Sequence, residues 1–192
     1  MSSLVMGVGV NDRKYPAYAS GKNFKVYTLW CGLLKRCYGS IYQKRNPTYI
    51  GCSVSENFKN YSYFYEWAQQ QIGFGLKNYH LDKDLILRGN RVYSEDTCVF
   101  LPSELNVLLT TRRNYRGSLP LGVSAFRDRF IVHCCTDKPS NHVGVFKTPH
   151  EAFQAYKQVK ETYIKLQAEK WKAHIDPRAY AALMAYEVSP TD

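Results

Sequence analysis

Apolar residues recur at three- and four-residue spacing through Val26, Tyr27, Trp30, Leu33, Leu34 and Cys37. That spacing lays one stripe along a helix beginning near Asn23, with Lys25, Lys35 and Arg36 elsewhere on its surface. Residues 39–55 lose the period and carry Gly39, Asn46, Pro47 and Gly51, so they read as loop. The pattern returns in Phe58, Tyr61, Phe64, Tyr65, Ala68 and Ile72, predicting a second helix over 56–71 with Ser55 as its N-cap and Gly73 and Gly75 as its stop. This aromatic stripe reads as core against the first helix; a base-stacking platform is the alternative. Residues 1–20, rich in Ser, Gly, Asn and Tyr, read as a flexible leader.

The pattern then becomes extended. YHLDKDLIL and VYSEDTCVFLP are strand-like and flank a turn at Gly89-Asn90. The short helix SELNVLL follows, so the order is ββα. TTRRNYRGS (110–118) reads as a basic linker. Three short strands come next, LPLGVSAF, RFIVHCCT and NHVGVF, separated by Arg127-Asp128 and DKPSN. Thr148-Pro149-His150-Glu151 then spells a capping box with proline at the first helical position. The helix it opens carries Ala152, Phe153, Tyr156, Val159, Tyr163 and Ile164 on one face, with Lys157, Lys160, Lys165, Lys170 and Lys172 mainly off it. Asp176-Pro177 breaks the pattern before a short helix near Ala179 to Tyr186. The predicted class is α+β: N-terminal helices plus a ββα unit, then a three-stranded antiparallel sheet packed on one helix. The predicted divisions are 1–20, 21–110, 111–172 and a tail, 173–192.

At 192 residues with 15% aromatics, the chain has material for real cores and is too short for a large multidomain enzyme. Its 26 Lys and Arg against 16 Asp and Glu give a net charge of +10. Arg112 to Lys172 holds 12 basic and 5 acidic residues, so most of the excess lies there. Such a field attracts polyanions. No apolar run approaches the ~20 residues of a membrane span, and the N-terminus lacks the form of an export signal. The expectation is therefore a cytoplasmic protein with no membrane partner. Six cysteines without C-x-x-C spacing read as buried hydrophobes in a reducing compartment. A zinc site from Cys37, Cys52 and Cys98 is the alternative.

Leu121-Gly122-Val123, Val143-Gly144-Val145-Phe146 and Thr148-Pro149-His150-Glu151-Ala152-Phe153-Gln154-Ala155-Tyr156 follow one another in an order that resembles the Apetala-two (ethylene-response-factor) DNA-binding domain over about residues 116–165. The resemblance implies a sheet laid in the DNA major groove with the helix behind it. Strand alternation then turns Phe130, Val132 and Cys134 to the helix, and Arg129, Ile131, His133, Cys135, Ser124, Phe126 and His142 outward. The family places several arginines on that face; here Arg129 stands there, with Arg127 beside it. Arg112, Arg113, Arg116, Lys138 and Lys147 are candidates for phosphate contacts.

Leu81-Asp82-Lys83-Asp84, Tyr93-Ser94-Glu95-Asp96-Thr97-Cys98 and Glu104-Leu105-Asn106 resemble HNH-type proteins of tailed phages, as do Trp30, Arg36-Cys37-Tyr38 and Gly51-Cys52 upstream. HNH chemistry uses a histidine base and one divalent metal held by Asp and Asn or His. The resemblance implies Asp82 at the acidic, metal-binding position and Asn106 on the helix. Lys83 stands where the base belongs and Thr97 where an asparagine belongs, while His80 is the candidate replacement base. The expectation is a phage-type, HNH-like protein that binds double-stranded DNA without cleaving it and without a cofactor. The alternatives are a live nickase or homing-type endonuclease using magnesium, and a module that captures a host protein.

Overall fold

The computed structural model describes residues 4–19, 22–110, 118–136 and 141–191. The chain divides into two units: Met1–Ser103 with His174–Ala179, and Glu104–Ala173 with Tyr180–Asp192. The long stretch of the first unit ends at Ser103, and residues 173–192 are divided between the two units.

The first unit is built on helices α1 (Lys25–Tyr38) and α3 (Tyr61–Gln69), with a short α2 (Ser40–Arg45) in the stretch that reads as loop. Val26, Trp30, Leu33, Leu34 and Cys37 form the buried stripe of α1, as their spacing requires. They meet Phe58, Tyr61, Phe64 and Ala68. The Trp30 indole N–H is satisfied inside this core, donating to the Phe58 carbonyl at 2.8 Å. Phe58, Tyr61 and Phe64 are fully buried, so this aromatic stripe is core and presents no stacking platform.

The single helix expected over 56–71 is two pieces, a 3-10 turn at Asn57–Lys59 and then α3. Asn60 takes an extended backbone, φ −90 and ψ 126, and its side chain caps α3 by accepting from the Tyr63 N–H. The Tyr61 N–H is already given to Val10 at 2.9 Å, so it cannot continue a helix from below. Ser55 caps the 3-10 turn instead, accepting from the Phe58 N–H at 3.2 Å.

Val10 belongs to the stretch expected as a flexible leader. Residues 4–19 instead run against α1 and α3. Tyr15 stacks on Tyr65 with ring centroids 4.1 Å apart. Tyr61 donates to the Pro16 carbonyl at 3.0 Å, and Asp12 accepts from Ser62. A side chain at Gly9 would strike Leu34 at 2.3 Å and the Trp30 ring at 2.9 Å, so only glycine lets the segment lie this close. A two-residue ribbon, β1 (Tyr18–Ala19) with β2 (Lys22–Asn23), leads into α1.

Two further strand pairs complete the unit: β3 (Ser53–Val54) parallel to β5 (Val92–Tyr93), and β4 (Tyr79–Asp82) antiparallel to β6 (Val99–Pro102). The second extended stretch expected over 92–102 is thus two strands, of which β6 pairs with β4 and β5 with β3; helix α4 (Ser103–Leu109) follows β6 in the chain and, from Glu104, belongs to the second unit.

The second unit holds an antiparallel sheet of β7 (Val123–Phe126), β8 (Arg129–His133) and β9 (His142–Phe146), in the order β7-β8-β9. The long helix α5 (Pro149–Trp171) packs against it, and α6 (Pro177–Met184) comes last. The capping box is present as its sequence spells it: the Glu151 N–H donates to Thr148 Oγ1 at 3.2 Å and Glu151 accepts back from the Thr148 N–H. Val123, Val132 and Cys134 are buried against Ala152, Phe153 and Tyr156. Gly122 has φ +78, and a Cβ there would lie 2.1 Å from the Tyr156 ring, so this glycine is required both by the turn and by the helix seated on it.

Among the described residues, no helix is long and apolar enough to cross a membrane.

Candidate nucleic-acid interface

The HNH-like positions are occupied by structural bonds. Asp82 ends β4, and one carboxylate oxygen accepts from the backbone N–H of Asp84 at 2.9 Å and of Leu85 at 2.8 Å, closing a tight turn. Burial pushes its carboxyl above the ordinary aspartate range, against those two bonds. Lys83 is only 8% exposed. Its ammonium donates to the Asn90 carbonyl at 2.7 Å, pairs with Asp84, and lies 5.6 Å from the centre of the Tyr93 ring. Asn90 answers with its side-chain amide, donating to the carbonyls of Lys83 and Val92 at 2.8 and 2.7 Å. Lys83 and Asn90 therefore clamp the two ends of the loop between β4 and β5. Thr97 is spent on the following turn, donating to the Val92 carbonyl at 3.0 Å.

Asp82 is a turn-closing acceptor, and a buried ammonium stands on the next residue. His80 is exposed on β4, opposite Leu101, and Asn106 lies on α4 in the other unit. Cys37, Cys52 and Cys98 are all buried, and burial pushes the thiols of Cys37 and Cys98 up to about 12. Among the described residues, no group of three or more His, Cys, Asp or Glu is placed to hold a metal.

The second unit presents a different surface. On the sheet's outer face Ser124, Phe126, Arg129, His133, Cys135 and His142 are exposed and Ile131 is half-buried; Val132 and Cys134 are buried against α5, Ala125 is also exposed, and the register shifts between Val132 and His133. Phe130 faces the helix but is only half-buried. The register sets the outward side chains in rows across the strands. Ser124 pairs with Ile131 and Ile131 with Val145, Phe126 pairs with Arg129, and His133 pairs with His142, their rings 5.6 Å apart. Lys147 follows Phe146 at the end of β9 and is exposed. Arg127 takes the left-handed conformation, φ 55, at the β7–β8 turn. Its guanidinium lies 5.5 Å from the centre of the Phe126 ring. Among the described residues, no carboxylate pairs with Arg127, Arg129 or Lys147. Arg112, Arg113, Arg116 and Lys138 lie outside the described residues.

The opposite side of this unit differs in its charges. Lys157 pairs with Glu161 at 2.5 Å and donates to the Val188 carbonyl at 3.2 Å. Glu161 in turn accepts from the Val188 N–H at 2.8 Å, and Val188 is buried in the core of the unit. This clamp fixes the C-terminal segment on α5. Lys160 is half-buried, and desolvation holds its ammonium below the usual lysine range. Lys170 pairs with Glu104 at 3.2 Å, while Lys172 sits 3.8 Å from Glu169 and over the Tyr180 ring. Of the four α5 lysines, Lys165 is exposed and makes no salt bridge among the described residues, though its charge acts on Glu161. The i,i+4 spacing of Lys157 and Glu161 is visible in the sequence. The third partner, Val188, is 27 residues beyond Glu161 and carries no local signal.

No family model, curated protein or solved structure matches this chain.

Proposed function

We propose that this chain binds duplex DNA through the outer face of the β7-β8-β9 sheet, and that its ββα segment is an HNH-like scaffold without nuclease activity. The observation that carries the reading is the contrast of charge between the two sides of the second unit. Among the described residues no carboxylate pairs with Arg127, Arg129 or Lys147 on the sheet side, whereas three of the four α5 lysines are paired, clamped or desolvated, as is Lys172 just beyond the helix. Unpaired cations are the ones that displace counterions from a phosphate backbone. Ser124, His133 and His142 add hydrogen-bonding groups to the same face, and Phe126, Ile131 and Val145 add apolar surface suited to thymine methyls. Few arginines stand there, so affinity is led by phosphates and sequence preference is weak.

The ββα segment is inactive in this reading because Lys83 and Asn90 are committed to holding their loop and Asp82 to closing its turn. Gel shifts of Arg129→Ala and Lys165→Glu on a mixed-sequence duplex test the assignment of faces. The first should weaken binding several-fold and the second should leave it near the wild-type value. The reverse order would transfer the interface to the helix. Lys157→Glu is a poor probe, because it also breaks the clamp on Val188. Plasmid incubated with magnesium or manganese should stay supercoiled; metal-dependent nicking abolished by Asp82→Ala would overturn the inactive scaffold.

A further inference from the structure

The first unit has a charge feature of its own. Between Asp12 and Glu56 the sequence holds eight Lys and Arg and no Asp or Glu. Some of these cations lie in the last turns of α1 and α2, where basic residues complement the helix dipole and need no ligand. The packing around α2 goes beyond that. Gln43 donates to the carbonyls of Arg36, Cys37 and Tyr49 at 3.1, 2.6 and 3.2 Å, fixing α2 and the 3-10 turn Pro47–Tyr49 on the end of α1. The Lys35 ammonium lies 5.5 Å from the centre of the Tyr42 ring, and Tyr42 lies 5.8 Å from Tyr49. On the far side of that turn, Arg91 reaches across from the strand region and donates to the Ile50 carbonyl at 2.7 Å. Lys35, Lys44, Arg45 and Arg91 are exposed, and none of them pairs with a carboxylate among the described residues. Lys35 thus stands over Tyr42, Tyr42 beside Tyr49, and Arg91 on the carbonyl that follows Tyr49, while Lys44 and Arg45 follow Tyr42 at the end of α2.

We propose that this surface is a second contact site for the phosphate backbone of duplex nucleic acid, carried by the first unit and independent of the sheet. A fixed array of unpaired cations on a hydrogen-bonded frame suits a polymer of regularly spaced charges. It pays little ordering entropy on binding, and each neutralised phosphate releases counterions. Tyr42 and Tyr49 offer hydroxyl donors of the kind that contact phosphate and sugar. Ile41 and Ile50 are exposed in the same region, which makes an anionic membrane surface the competing occupant to be tested.

The experiment uses the full chain. Lys44→Gln/Arg45→Gln is compared with wild type, and Arg127→Asn/Arg129→Ala/Lys147→Ala is tested with and without it, by binding to a mixed-sequence duplex at several salt concentrations. The glutamine pair should weaken binding about tenfold and lower the salt slope by about 1.8, for two phosphates at about 0.9 each. It should lower affinity further in the sheet variant. Ile41→Lys, at a position 71% exposed, should raise affinity and steepen the slope by about 0.9, an outcome no folding defect can imitate. Unchanged slopes in both the Gln pair and Ile41→Lys would overturn the second site, whatever the sheet variant does. Loss of binding to phosphatidylserine vesicles, with duplex binding intact, would reassign the surface to a membrane and equally overturn it. A sheet variant that binds like wild type while the Gln pair does not would instead overturn the sheet assignment alone.

Discussion

Lys83 serves structure: its ammonium is buried and bonded to the Asn90 carbonyl, and Asn90 returns two bonds across the same loop. Asn90→Ala should therefore destabilise the first unit by about 1–3 kcal/mol, the cost of leaving buried polar groups unpaired, measured by urea unfolding. Lys83→His should not create a nuclease, since it restores a base while breaking the clamp and adding no metal ligand. Asp82 gives a pH prediction. Burial raises its folded carboxyl above the reference 3.8, so the neutral form is favoured by folding. That contribution is full below the unfolded value and is lost as pH rises through the folded one. Asp82→Asn can still accept from the Asp84 and Leu85 N–H groups and carries no charge. Its Tm should exceed the wild-type Tm at pH 7, with the difference closing below about pH 4; equal melting at both pH values would show that burial of this charge has no cost. In the second unit, Gly122→Ala should destabilise by about 2–4 kcal/mol, combining left-handed strain with a clash on Tyr156.

At the scale of elements, the sequence is legible where one local rule decides and opaque where a distant partner does. Thr148, Pro149 and Glu151 define the start of α5 by themselves, and the box is formed; Thr148→Ala should cost about 1 kcal/mol in thermal unfolding. Strand alternation assigns Val132 and Cys134 inward and Arg129 and His133 outward because the pleat leaves no other choice. It does not give depth. Phe130 faces α5 yet is only half-buried, so Phe130→Ala should cost about 2 kcal/mol, less than the roughly 3–5 of a fully buried phenylalanine. The split of the 56–71 helix at Asn60 escapes periodicity because its cause is Val10, 50 residues away, taking the Tyr61 N–H. The packing of residues 4–19 escapes composition for the same reason: Gly9 and Tyr15 look like leader residues until Trp30, Leu34 and Tyr65 are placed beside them. The three-stranded sheet and its outward residues could thus be read in advance, whereas the neutralisation of the α5 lysines, which depends on Val188, Glu104 and Tyr180, could not.

For the whole molecule, a net charge of +10 says only that polyanions are attracted. Which cations remain free decides where. Among the described residues no carboxylate pairs with Arg127, Arg129 and Lys147 in the second unit or with Lys35, Lys44, Arg45 and Arg91 in the first, and these are the cations the proposed DNA contacts use. Duplex binding should be salt-sensitive and tolerant of sequence, and it should survive chelation. The most direct test of the sheet as the DNA-binding face is the slope of log K against log salt for wild type and for Arg127→Asn/Arg129→Ala/Lys147→Ala, with circular dichroism confirming the fold. Asparagine at 127 keeps the left-handed turn accessible. Loss of three phosphate contacts should flatten the slope by about 2.7 and lower the affinity at low salt. A triple variant with the wild-type slope and affinity would contradict the account.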